Sequence, residues 1–348
     1  MITIRVIRYS LVLLLCSTSM NRTAAQVTSL DSVINAASLK EVVDFLASDS
    51  LKGRFTGSDG AQKAASFIAN EFQHAGLKPF PNTDSFLWHF RARGPSSLIP
   101  TANVMATLEG DTNTRANELI IFCAHYDHVG TKSTNPHPDL HTRERGRRGD
   151  TIYNGANDNA SGVAAIIHLA RYFGQLKSNV RSLIFIAFSG EELGLEGSRE
   201  ILPAFKPEAI VAVINLEMLG RTISRKKKNP YVTGSQYSDL KTLLNSALYQ
   251  HNDTLYKNNF FRDDPFPSER LFSRSDNYWF ASKGIPAHTI MSTAPDDRYY
   301  HSTSDESSTL DFTLMKNLVQ AIAISTGNLI AGKDTPSRIN PRKVITDF

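Results

Sequence analysis

Phe185-Ile186-Ala187-Phe188-Ser189-Gly190-Glu191-Glu192 is the stretch from which the fold can be read. Leu183 to Phe188 is an unbroken apolar run, too short for an average helix and rich in Ile and Phe, so it reads as a buried strand. It stops at Ser189-Gly190 and delivers two neighbouring carboxylates at the strand's carboxyl end. Glu is favoured in a first helical turn, so a solvated helix start is one reading of the pair. The other is a metal site, because adjacent like charges need strong positive charge beside them.

The same format recurs along the chain. Leu119 to Ala124 is an apolar run followed by His125-Tyr126-Asp127-His128, and Ile210 to Leu216 is followed by Glu217. Asn157-Asp158-Asn159-Ala160-Ser161-Gly162 opens a helical pattern through Val163, Ile166, Ile167 and Leu169. Ala287 to Met291 is a late strand, and Tyr299-Tyr300-His301 comes after it. Strands alternating with helices predict an α/β sheet with mostly parallel strands. Ligands of such sheets bind beyond the carboxyl ends of the strands, where each of these polar groups falls. Upstream, helices are expected over Leu39–Leu51 and Ala61–Ala75, with antiparallel strands within residues 85–110.

A chain of 348 residues with 41% hydrophobic and 21% charged residues can bury a sizeable core, which excludes global disorder. Residues 1–25 read as a secretory signal: Arg5 and Arg8 precede an apolar centre, Leu11 to Cys16, and Thr23-Ala24-Ala25 is a small-residue cleavage site. That centre is far short of the roughly 18–20 residues of a spanning helix, so stable membrane insertion is not expected. A secreted or periplasmic protein starting at Gln26 follows. Lipid attachment at Cys16 is the weaker alternative, because Leu15 stands where a small residue is needed. Removing residues 1–25 removes three arginines and no acid, so the net charge falls from +4 to +1. Near-neutral charge argues against nucleic acid as a partner. Arg143 to Arg148 and Arg225 to Lys228 read as solvated basic loops. Cys123 is then the sole cysteine and reads as a small core residue. Residues 26–332 are expected as one domain, and 333–348 as a polar tail that straps the surface or stays loose.

The strand-end groups are His125, Asp127, Asp158, Glu191, Glu192, Glu217 and His301. Imidazole and carboxylate donors together suit zinc. A pair of zinc ions needs more carboxylates than histidines, with one carboxylate shared. One acid must stay off the metal to take a proton from water, and adjacent Glu191 and Glu192 offer that division.

His125-Tyr126-Asp127-His128, Asn157 to Gly162, Ser189-Gly190-Glu191-Glu192-Leu193-Gly194, Asn215 to Gly220 and Tyr300 to Asp305 closely resemble the motifs of the M28 zinc exopeptidases, in the right order. Gly53-Arg54, Ser275-Asp276 and Gly284-Ile285-Pro286 resemble flanking signatures. The resemblance implies a three-layer αβα sandwich with a mixed, mainly parallel central sheet, and aminopeptidase chemistry on peptides with a free N-terminus. It implies His125 and Glu217 on one zinc, Glu192 and His301 on the other, and Asp158 between them. Glu191 would be the general base, Tyr300 would steady the oxyanion, and Asp127 would hold the His125 ring through its other nitrogen. The family's aminopeptidases usually carry Asp where this chain has Glu217, so two zincs are expected, one tight and one labile. A glutaminyl cyclase with one zinc and a carboxypeptidase of the same family are the alternatives.

Other residues read more plainly. His128 is expected to make a structural hydrogen bond. His137, His141, His168, His251 and His288 are expected in loops or core. Asp305 should fix the loop of His301, and Asp276 either lines a substrate pocket or serves a turn. Phe260, Phe261 and Phe266 form a lid over the substrate or simply pack their loop.

Overall fold

A computed structural model of the protein describes residues 29–111, 114–134, 149–224, 229–251, 256 and 259–346. The segment read as a secretory signal, with Cys16, and His137, His141 and the basic runs at 143–148 and 225–228 lie outside the described residues.

Nine strands form one mixed sheet among the described residues: β1 (Lys78–Pro79), β2 (Leu87–Arg93), β3 (Leu98–Leu108), β4 (Leu119–His125), β5 (Ser182–Phe188), β6 (Ile210–Glu217), β7 (Tyr231–Val232), β8 (Arg262–Asp263) and β9 (Ala287–Met291). Their order is β1-β3-β5-β4-β6-β9-β7-β8, with β2 also on β3. The centre, β5-β4-β6-β9, is parallel. β3 runs antiparallel on one side of it and β7 on the other. Parallel strands buried on both faces need no polar alternation, which is why Leu183–Phe188 of β5 and Ile210–Ile214 of β6 are apolar throughout.

Side chains of the central strands alternate between two apolar layers. Ile120, Phe122, Leu183 and Phe185 pack with the helices Ala36–Leu46, Asp59–His74, Ser161–Leu176 and Phe312–Ser325. Ile121, Cys123, Ile184 and Ile186 pack on the other face with Phe205, Tyr278 and Phe280. The three layers agree with the fold read from the sequence. Cys123 is fully buried, and burial pushes its thiol well above the usual range, so it is an inert core residue.

One segment differs from expectation. The helix expected over Leu39–Leu51 ends at Leu46, and the chain then turns tightly with Lys52, Gly53 and Arg54 all at positive φ. This turn swings the Arg54 side chain into the interior. Of the two alternatives for the tail, residues 333–346 take the strap: Arg338 donates to the carbonyls of Ile210 and Pro207, and Ile339 and Val344 are buried in the second apolar layer. No helix among the described residues is long and apolar enough to cross a membrane.

Candidate metal centre

Each strand end contributes one part. β4 ends in His125, β6 ends in Glu217, and Gly190 at φ 79 turns the chain after β5 into Glu191 and Glu192. Asp158 lies in the irregular turn before the helix Ser161–Leu176. His301 follows β9 in a left-handed conformation, φ 49, which a non-glycine residue adopts only when its surroundings impose it.

These parts converge. His125 Nε2 lies 3.1 Å from Glu217 Oε1 and 3.3 Å from Asp158 Oδ1. His301 Nε2 lies 3.1 Å from Asp158 Oδ2 and 3.3 Å from Glu192 Oε1. Asp158 therefore turns one oxygen to each histidine. Donors at about 2.0–2.2 Å from a tetrahedral zinc are separated by roughly 3.3–3.6 Å, so both groups of nitrogen and oxygen atoms fit that ion. Glu191 remains beside them, Oε2 at 4.0 Å from His125 Nε2.

The surrounding bonds hold the donors in place. Asp305 accepts from the Asn157 and Asp158 amides at 3.1 Å and is paired with Arg221 at 2.5 Å. It thus fixes the Asp158 turn as well as the loop that carries His301. Ser275 donates to Glu217 at 2.8 Å and accepts from Asn215 at 2.6 Å. Asp127 differs from expectation: its backbone carbonyl, not its carboxylate, lies 3.1 Å from His125 Nδ1. The carboxylate is 3.9 Å from that nitrogen and accepts from Thr56 at 2.7 Å and from the Glu191 amide at 3.3 Å. It orients the Glu191 backbone while the main chain orients the ring.

Burial opposes charge here, and the partners decide the outcome. Burial pushes His125 and His301 towards neutrality, but the carboxylates facing them hold both well above the usual histidine range. Burial likewise pushes Asp158 and Glu192 up, and the histidines bring both below the carboxylate range. Glu191 has burial and the charges of Glu192, Glu217 and Asp276 against it, and is raised well above the ordinary value despite His125. Asp276 is fully buried beneath the site and does not line it; burial raises its carboxyl to about 7. Arg54 donates to the carbonyls of Tyr126, Asn154, Gly155 and Leu46. Burial lowers it to about 10 against the pull of Asp158, Asp305, Asp127 and Glu192, which leaves a fixed cation behind the acids.

A cavity opens onto the donors. Asp158, Glu191, Glu192 and Glu217 line one end, with Met218, Leu271, Met291, Pro295 and Tyr300 around it. The Tyr300 ring stacks on His301, centroids 3.9 Å apart. Arg274 also lines this cavity, a role the sequence reading missed although Arg274 adjoins the flagged Ser275-Asp276 pair. Phe260 and Phe261 sit in the first apolar layer and Phe266 packs on Tyr231, so these aromatics pack their loop rather than cover the cavity. His168 and His288 are buried core residues, each bonded to a backbone carbonyl.

The sequence model of peptidase family M28 matches residues 103–325, the span that holds every donor named above. The chain belongs to peptidase family M28. A "Probable zinc metalloprotease" of Pyricularia oryzae is 32% identical over 136 residues, 38% of this chain and 24% of that protein. The match thus spans about a quarter of the relative's length. Among solved structures, the aminopeptidase from Aneurinibacillus sp. strain AM-1 superimposes with a TM-score of 0.62 at 17% identity, covering 86% of this chain and 95% of that one. The Porphyromonas gingivalis glutaminyl cyclase gives 0.63 at 16% identity, covering 86% and 99%. At such identity these two neighbours of the M28 chain establish the fold alone.

Proposed function

We propose that this M28 chain is an exported aminopeptidase that holds two zinc ions and cleaves the peptide bond next to a free N-terminus. One observation carries the reading: the Glu191 carboxylate stands next to the donor cluster, 4.0 Å from His125 Nε2, while the remaining acids are taken up by the histidines. Charge supports two ions. Four carboxylates share one buried site, and two divalent cations neutralise them with the imidazoles left neutral. Bound zinc supplies the Lewis acidity that lets water lose a proton near neutral pH. Glu191 takes that proton and returns it to the leaving amine, the Asp127–Glu191 amide bond fixing where it stands. Tyr300, held flat on His301, is placed to donate to the oxyanion. The apolar wall of Met218, Leu271, Met291 and Pro295 takes the N-terminal side chain. The similarity in fold to an aminopeptidase is consistent with this chemistry.

Arg274 favours one alternative. A guanidinium at the cavity can hold a substrate carboxylate, as a carboxypeptidase requires. A substrate panel separates the readings. Aminoacyl anilides cleaved in a chelator-sensitive way support the aminopeptidase; cleavage confined to N-acylated peptides with a free C-terminus replaces it with a carboxypeptidase. Pyroglutamate formed from Gln-initiated peptides without hydrolysis replaces it with a cyclase. Export is tested by sequencing the mature N-terminus, expected at Gln26.

A further inference from the structure

The family's motifs assign two histidines to the metals, and the structure brings a third to the same place. His128 is fully buried, with Nδ1 2.8 Å from Glu192 Oε1 and 3.7 Å from Asp158 Oδ2. A structural hydrogen bond to Glu192 accounts for the first distance and not for the second. Together with the two His301 contacts, at 3.1 and 3.3 Å, these separations average close to the edge of a zinc tetrahedron. Nδ1 of His128, Nε2 of His301 and one oxygen each from Asp158 and Glu192 all lie within 4.8 Å of one another. The other ring nitrogen, Nε2, is buried with no hydrogen-bond partner among the described residues. Gly155 makes room for it: a Cβ there would fall 2.5 Å from His128 Cδ2.

We infer that His128 is a metal ligand through Nδ1, giving the ion held by Glu192 and His301 four protein donors and leaving the ion held by His125 and Glu217 three. The inference rests on the zinc reading above and adds an asymmetry to it. A zinc with four protein donors is closed, whereas one with three keeps a position open. The open position then belongs to the ion on the His125 side, where Glu191 stands. The ion on the His128 side is the tight one, and the ion beside the base is the exchangeable one.

The test counts imidazoles on the protein loaded with cobalt(II), by X-ray absorption and by the paramagnetically shifted exchangeable ring N–H signals. Three imidazoles shared over two ions are expected. His128→Asn, which keeps an amide donor for Glu192, should bring the count to two and weaken one ion about tenfold or more while the other keeps its affinity. Two imidazoles in the wild-type protein overturn the inference, as does an unchanged count in the variant. The wild-type count decides alone if the variant does not fold. Failure of the wild-type protein to take up cobalt or zinc overturns the zinc reading itself, and this inference with it.

Discussion

Asp158 serves two neighbours at once, Oδ1 towards His125 and Oδ2 towards His301. Asp158→Asn leaves an amide that offers one acceptor and so cannot satisfy both sides. Zinc retention on dialysis should fall for the whole centre, not for half of it; a variant that keeps full zinc content would show that Asp158 does not bridge. Glu191 predicts the opposite pattern. Glu191→Gln should hold zinc as the wild type does and lose about 10²- to 10⁴-fold in turnover, the usual worth of a positioned base. Metal analysis beside kcat on one preparation checks both halves, and wild-type turnover in the variant removes Glu191 from its role. Asp127 shows why some roles stayed illegible. The family resemblance implied that it holds the His125 ring, but its carboxylate reaches Thr56 and the Glu191 amide, 71 and 64 positions away. Only the path of three loops decides such contacts, and no periodicity reports it.

The elements themselves were legible where physics is local. Mainly apolar runs gave β4, β5, β6 and β9 nearly to the residue, and the polar groups following them did converge. The helix after Leu39 was read too long: it ends at Leu46, and a short 3-10 segment, Asp49–Arg54, brings Arg54 to the carbonyls it binds. That segment makes a prediction. Arg54→Met would take their donor from the buried carbonyls of Leu46, Tyr126 and Asn154, while Gly155 keeps the Ala160 amide, so urea unfolding should show a loss of about 3 kcal/mol or more. A loss below about 1 kcal/mol would mean that water or backbone shifts replace the guanidinium. Gly155, at φ 57, is constrained three times, by its backbone, by the Asp158 carbonyl 2.3 Å from where a Cβ would lie, and by the His128 ring. Gly155→Ala should therefore displace that ring and lower zinc affinity with little change in the far-UV spectrum; unchanged affinity would place His128 outside the metal's influence.

At the scale of the whole molecule, two buried core histidines outside the donor cluster weaken the fold on acidification. Burial lowers His168 and His288 to about 4, against about 6.5 when unfolded. Between those values the unfolded chain binds the protons, so stability is full above about pH 6.5 and falls as the pH drops towards 4. Each site should cost about 2 kcal/mol between pH 7 and pH 5. Unfolding midpoints of His288→Asn and wild type at both pH values test this, the variant being expected to lose less on acidification. Parallel pH dependence in the two proteins would assign the loss on acidification elsewhere. A last consequence concerns Arg54, whose guanidinium ties together residues 46, 126 and 154–155. The cup around the zinc site is shaped by a positive charge that is part of the polypeptide and that no chelator extracts. Protein stripped with EDTA should keep its circular dichroism and regain zinc on simple soaking, as a mould outlasts the casting taken from it.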